Sequence, residues 1–118
     1  MPIDFYDSDG NEVTSINEGE TVDVNVTLTD EGGTTVTPNA LVWWWSDASG
    51  MIINDRDKVA ATPDNPTVIT LTPDDTALTA NADAVRVFTI KVVYNSDLGN
   101  DRTATEWGSI VVRHSKVI

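Results

Sequence analysis

The sequence predicts an all-β fold, an antiparallel β-sandwich of seven to eight strands with little helix. From Thr21 to Thr29, valine or leucine alternates strictly with a polar residue, and this period of two gives the strand one apolar face. A dense aromatic stretch, Leu41–Trp45, follows and suggests a sandwich core pinned by tryptophan. Apolar runs also recur every ten or so residues between clusters of Gly, Asp, Asn and Pro, a spacing typical of a sandwich or barrel.

The first half of the chain is divided into short strands by turn residues. The predicted strand segments are Ile3–Tyr6, Val13–Ile16, Glu20–Thr29, Thr34–Thr37 and Ala40–Trp45. Gly10, in the turn Asp7–Asn11, lies where a positive φ is expected, and Gly19 marks a second turn. Thr34–Thr37 and the C-terminal strand are expected to expose edges that could extend a partner's sheet.

The three consecutive tryptophans cannot all face one core, because side chains alternate along a strand. We expect Leu41, Trp43 and Trp45 to point inward and Trp44 to be partly exposed. An exposed indole is suited to stacking on a sugar or to packing against a protein neighbour. Trp44 is therefore the candidate binding residue, and the alternative is that it packs under a loop or on the second face of a bent strand.

The second half contains two long strands and several short ones. The predicted segments are Met51–Asn54, Lys58–Ala61, Thr67–Thr72, Val85–Tyr94 and Thr103–Arg113. In Val85–Tyr94, alternate residues from Phe88 to Tyr94 form the predicted inner face. In the last strand Ile110 and Val112 are expected to point inward, with Trp107 near the strand start.

Between these strands, Pro73–Leu78 is predicted to form a single helical turn. Proline is favoured at the first helical position, and Thr72 is a candidate cap. The adjacent acids Asp74 and Asp75 would then lie at the helix N-terminus, where carboxylates interact favourably with the helix dipole. This local explanation is preferred to a catalytic carboxylate pair.

The amino-acid composition and net charge restrict the classes of partner and chemistry that are expected. Residues 1–118 have the size of a single domain, with 19 acids against 7 bases and a net charge of −12. Such a surface repels phosphate backbones, so we expect neither nucleic acid nor an anionic membrane as partner. The lack of cysteine excludes disulfides and thiolate chemistry, and the N-terminal residues lack the pattern of a signal peptide. Folding in the cytosol is expected.

Several stretches resemble an immunoglobulin-like (Ig-like) domain found among virion structural proteins of tailed bacteriophages and prophages. The residues that carry the resemblance are Leu28–Asp30, Trp45–Asn54, Ile69–Asp75, Phe88–Asp101 and Thr105–Trp107. The resemblance implies an Ig-like sandwich that acts as a non-enzymatic virion component, assembled in a bacterial cytoplasm. It assigns no functional residues, and the Cys…Trp…Cys pattern of antibody domains is absent.

Calcium is the alternative use of the acidic turns. Asp7 and Asp9, together with Asp97 and Asp101, offer hard oxygen ligands of the kind that calcium prefers. Asp and Asn also favour turns by themselves, because their side chains bond to nearby backbone and tolerate left-handed conformations. Plain turns are therefore expected, with no metal and no cofactor.

Two functions remain open at this point. The first is a virion structural or decoration module that contacts a protein partner, either a virion component or itself. The second is an extracellular or cell-surface module that binds carbohydrate or protein through Trp44. No combination of residues in the sequence points to an enzyme: His114 is the only histidine, and there is no Gly-x-Ser-x-Gly motif.

Overall fold

The computed structural model describes residues 1–114, which form two β-sheets packed as a sandwich, with no helix in this part of the chain. The strands are β1 (Ile3–Tyr6), β2 (Ser15–Asn17), β3 (Val22–Val26), β4 (Ala40–Asp47), β5 (Val59–Ala60), β6 (Thr67–Leu71), β7 (Ala84–Ser96) and β8 (Gly99–Arg113). The predicted all-β sandwich of seven to eight strands is confirmed.

The order of the strands is Ig-like. One sheet has the order β1-β3-β6 and the other β2-β8-β7-β4-β5. With the strands lettered A, A′, B, C, C′, E, F and G along the chain, the sheets read A-B-E and A′-G-F-C-C′, an immunoglobulin arrangement without strand D. The long hairpin of β7 and β8 forms the centre of the larger sheet and its main length.

One pair departs from the predicted antiparallel sandwich. Ser15–Asn17 of β2 runs parallel to Val111–Arg113 of β8. After β1, which lies at an edge of the smaller sheet, the chain crosses to an edge of the larger sheet and runs there in the same direction as the last strand. Ile16 enters the core through this crossing and is almost fully buried. The predicted strand at Val13–Ile16 is shifted accordingly.

The core lies between the two sheets and follows the predicted alternation. Leu41, Trp43 and Trp45 of β4 are buried, whereas Trp44 is partly exposed, as expected. On β7 and β8 the buried residues are Phe88, Ile90, Val92, Tyr94, Ile110 and Val112. The rings of Trp43 and Phe88 stack with centroids 5.7 Å apart, so β4 and β7 are joined by an aromatic contact as well as by hydrogen bonds.

Three predicted elements are absent. Thr34–Thr37 contributes only an isolated bridge between Thr29 and Thr35, and Met51–Asn54 only one between Ser46 and Ile52. Left-handed φ angles of 53° at Asn54 and 56° at Asp55 turn the chain away before a strand can form. The helical turn predicted for Pro73–Leu78 is wrong as well. The chain makes a single turn there, in which the N–H of Asp75 donates to the carbonyl of Thr72.

The carboxylate of Asp75 is fully buried and joins the two loops at this end of the sandwich. It accepts hydrogen bonds from Nε and Nη2 of Arg56 at 2.8 and 3.2 Å, and from Nδ2 of Asn54 at 2.8 Å. It also accepts one from the backbone N–H of Thr72 at 2.7 Å. Asp75 therefore ties the loop between β4 and β5 to the loop between β6 and β7.

The same cluster is attached to the tryptophan core. The indole N–H of Trp45 donates to the carbonyl oxygen of Asp75 at 2.9 Å, and the guanidinium of Arg56 lies 5.6 Å from the ring centroid of Trp43. Burial by itself would raise the pKa of Asp75, but the hydrogen bonds from Arg56 and Asn54 outweigh it and hold the pKa below its usual value. Asp75 is thus an ionised, fully paired charge in the interior.

Candidate functional site

The side chains that point out of the five-stranded sheet form the candidate site, which we call the outer face. On β4, β7 and β8, the register aligns these side chains in rows across the strands. The rows are Val85 with Val111; Ser46 with Val87 and Ser109; Trp44 with Thr89 and Trp107; Val42 with Lys91 and Thr105; and Ala40 with Val93 and Thr103. The outer face is therefore built almost entirely from valine, tryptophan, threonine and serine.

The central row carries two indoles. Thr89 lies opposite Trp44 on one side and opposite Trp107 on the other. Trp107 is 63% exposed, and Trp44 is partly exposed. Two strand spacings separate them, so their backbones are about 10 Å apart. The sheet presents two tryptophans on one surface, with a threonine between them.

Charge is distributed unevenly over the molecule. The chain has 19 acidic residues, yet none of them lies in the rows of the outer face, where Lys91 is the only charged residue. Interface centres are typically depleted of charge and enriched in aromatic residues. Exposed apolar patches with polar surroundings commonly mark interaction sites on soluble domains. The outer face combines these properties, which makes it the best candidate for a binding surface.

Trp44 is the site residue that the sequence predicts, whereas Trp107 was not predicted as one. Trp107 lies in the middle of β8, because that strand begins at Gly99 and not at Thr103. A signal was present in the sequence. The side chains of Ile110 and Val112 are predicted to point inward, and Trp107 lies three residues before Ile110, so its side chain points to the opposite face of the strand. Period-two counting from Ile110 would have placed this indole on the exposed face.

The calcium candidates Asp7 and Asp9 lie in the turn after β1. There the Oδ1 atom of Asp7 accepts hydrogen bonds from the backbone N–H groups of Asp9 and Asn11, both at 2.9 Å. The backbone carbonyl of Asp7 accepts one from the N–H of Gly10. Gly10 has a φ of 82°, the positive value that was expected. The Asp7 carboxylate thus shapes the hairpin, as the plain-turn interpretation predicts.

The same turn occurs three times. In Asp-x-x-Gly segments beginning at Asp7, Asp30 and Asp47, Oδ1 of the aspartate accepts the N–H groups two and four residues on. The glycine three residues on has a φ between 82° and 90° in each. The repeated Asp-x-x-Gly spacing is visible in the sequence, but the turn geometry it encodes was not predicted. Much of the aspartate content therefore has a local structural role.

The remaining candidates, Asp97 and Asp101, lie at the other end of the molecule. Asp97 lies beside the Asp30 turn, which follows the end of β3. Asp7 lies near the start of β3, because it directly follows Tyr6, the β1 residue that pairs with Asp23. The fold therefore does not bring the four aspartates together. Within residues 1–114, no three His, Asp or Glu side chains lie close enough to hold a metal ion.

Calcium removal should leave the melting temperature unchanged. The expected reason is that backbone N–H groups, and not a cation, organise the acidic turns. Thermal unfolding with added calcium and with excess chelator, at the same ionic strength, measures this. A fall of several degrees on chelation would contradict the prediction and would make Asp7, Asp9, Asp97 and Asp101 the first ligands to test.

A polar network attaches the hairpin of β7 and β8 to the segment after β3. Glu31 accepts a hydrogen bond from the hydroxyl of Tyr94 at 2.9 Å and another from Nε of Arg102. Its own backbone N–H and the hydrogen bonds from Ser96, Tyr94 and Arg102 lower the pKa of Glu31 to about 2. Glu31 is therefore ionised at neutral pH. Through Arg102 it ties the first half of β8 to the segment after β3.

Comparison with known proteins adds no further constraint. No protein-family model, curated protein or solved structure matches this chain. Residues 1–114 include no helix with the length and hydrophobicity needed to span a membrane. The outer face and the sequence resemblance are therefore the observations that bear on function.

Proposed function

We propose that this domain is a non-enzymatic structural or decoration module of a tailed-bacteriophage or prophage virion, held in the particle by protein–protein contact through its outer face. The observation that supports contact is the central row of Trp44, Thr89 and Trp107, which lies within rows that carry a single charge, that of Lys91. The virion setting is supported by the sequence resemblance of residues 28–107.

The distribution of charge supports a specific contact. A partner that packs on the outer face buries two indoles and several valines without having to desolvate a carboxylate. The acids elsewhere on the surface repel other acidic surfaces and so disfavour wrong contacts. The partner surface expected from this chemistry is apolar and nearly neutral.

A carbohydrate-binding module is the second candidate, and one observation favours it. Two tryptophans whose backbones lie about 10 Å apart, with Thr89 between them, provide stacking surfaces and a hydrogen-bonding group in one row. This arrangement could hold neighbouring sugars of a glycan. The two candidates make different predictions for purified particles.

Mass spectrometry of purified virions should detect this polypeptide, and Trp107→Ala should reduce its incorporation about tenfold or more. The reason is that the central aromatic contact is lost while the exposed position leaves folding intact. Val68→Ala is the matched control, since Val68 is 53% exposed on β6 of the other sheet and should be incorporated normally. Virions without the polypeptide, combined with glycan binding that Trp44→Ala abolishes, would favour the carbohydrate module instead.

A further inference from the structure

Most of one edge of β8 has no strand beside it. β7 pairs with β8 along one side over nearly the whole strand, from Ala84 to Ser96. On the other side, β2 pairs only with Val111–Arg113. Within residues 1–114, no other strand pairs with the stretch Thr103–Ser109 on that side. This stretch, about 20 Å long, is called the open edge below.

The direction of the backbone groups along the open edge follows from two hydrogen bonds. The N–H of Val111 donates to the carbonyl of Thr14, which precedes β2, at 3.2 Å, and the N–H of Trp107 donates to Oε1 of Glu106 at 3.1 Å. In an antiparallel ladder, the N–H and C=O of one residue point to the same side of the strand, and successive residues alternate between the two sides. The odd-numbered residues therefore point these groups away from β7, and Thr103 and Thr105 present theirs at the open edge.

We infer that the open edge of β8 pairs in antiparallel fashion with β8 of a second copy of this chain, joining two five-stranded sheets into one of ten strands. This inference rests on the proposed function, a module that acts by protein contact, and names one of its partners. Exposed, unpaired edges are the usual starting point for such strand addition.

The charges along β8 favour a second copy over an unrelated strand. Glu106 is the only charged residue from Thr103 to Val112, and Arg102 lies just before this stretch. Arg102 and Glu106 are equidistant from Ala104. A twofold axis at Ala104 therefore sets Arg102 of each copy opposite Glu106 of the other, which is a stabilising cross-strand pair.

The charge of Glu106 also disfavours a neighbouring register. An axis at Glu106 would place two carboxylates directly opposite each other, which is destabilising. The axis at Ala104 also suits the backbone, because Thr103 of each copy then faces Thr105 of the other and the two pairs exchange four N–H···O bonds. Arg102 donates to Glu31 through Nε, which leaves its Nη groups for a second carboxylate.

Pairing along the edge leaves the outer face free. Because an antiparallel sheet continues across the axis, the outer faces of both copies lie on the same side of the joined sheet. At about 0.15 M salt the Debye length of about 8 Å limits repulsion between the acidic bodies of the two copies. Dimer formation uses backbone groups at the edge of β8, whereas particle binding uses side chains that point out of the sheet, so the two can be lost separately.

Sedimentation velocity should show a concentration-dependent monomer–dimer equilibrium that Thr105→Pro abolishes. Proline removes only an N–H that faces the open edge, so the ladder with β7 is kept, and edge strands tolerate it there. Thr105→Val is the matched control, because it changes the same side chain but retains the N–H and should still dimerise. Circular dichroism and melting curves establish that both variants remain folded.

Disulfide formation provides a second test that does not depend on the proline variant. The chain has no cysteine, and the inferred register makes Ala104 its own cross-strand neighbour at a Cα separation of about 4.5 Å, within disulfide range. Ala104→Cys should form a covalent dimer on mild oxidation much faster than Ser8→Cys, which lies exposed in the turn after β1.

Three results would each overturn the inference: a monomer at all concentrations, a dimer that persists in folded Thr105→Pro, or Ala104→Cys cross-linking no faster than Ser8→Cys. Because Thr105 also belongs to the outer face, incorporation of Thr105→Pro is compared with that of Thr105→Val, and normal incorporation of both would leave the proposed function standing. Reduced incorporation of Trp107→Ala into virions reports on contact through the outer face and does not report on whether the chain dimerises.

Discussion

Ile90→Asp should abolish the cooperative unfolding transition of this domain. Ile90 is fully buried at the centre of β7, and aspartate there would lose the packing of a large aliphatic side chain and bury a carboxyl group without a partner. The combined cost of several kcal/mol approaches the whole stability of an ordinary domain, about 5–15 kcal/mol. Urea unfolding followed by tryptophan fluorescence and circular dichroism measures the effect.

The control uses the next residue along the strand. Lys91→Asp introduces the same side chain at an exposed position on the outer face and should change the free energy of unfolding by less than about 1 kcal/mol. Val24→Asp and Asp23→Ala form a second pair on β3 with the same expected contrast. If the inward-facing and outward-facing members of a pair behaved alike, the strand register would be wrong.

Asp75→Ala should destabilise the domain by about 3–5 kcal/mol, since it leaves the partly buried guanidinium of Arg56 without its partner. It also removes the acceptor for the N–H of Thr72 and for the amide of Asn54. Asp74→Ala is the matched control, because Asp74 is its exposed neighbour and should change stability by less than about 0.5 kcal/mol. Equal destabilisation by both variants would contradict the structural role of the buried cluster.

The effect of Asp75 should depend on pH in a defined direction. Its pKa is lowered in the folded protein, so its stabilising contribution is fully present above the unfolded aspartate pKa of about 4. That contribution is lost as the pH falls through the lower, folded value. The difference in unfolding free energy between the wild-type protein and Asp75→Asn should therefore shrink on acidification. A difference that stayed constant to about pH 2 would show that the carboxylate charge is not responsible.

Local patterns were enough to predict the strands that have one buried and one exposed face. The alternation from Val22 to Val26 and from Phe88 to Tyr94 placed every inner residue correctly, and the split between Trp43 and Trp44 followed from the same rule. Each of these predictions depends only on the opposite orientation of neighbouring side chains. No long-range information was needed.

The candidate site was only half predicted. Trp44 was selected from its parity on β4, but the row that joins it to Trp107 requires the register of three strands that are distant in sequence. Cross-strand register is set by long-range pairing and turn geometry, which one segment does not encode. For the same reason the open edge of β8 was anticipated only in general terms, whereas the predicted edge at Thr34–Thr37 was wrong.

Sequence alone determined that this chain is all-β, which residues of its main strands point inward, and that its net charge is −12. These properties follow from side-chain alternation and from summed charge, both of which are local or additive. Only the tertiary structure decided that Asp75 is a buried ion-pair partner and not a helix cap, and that the indoles of Trp44 and Trp107 share one face. A loop carboxylate acquires its role from the groups that folding brings to it, and Arg56 arrives from a loop 19 residues away.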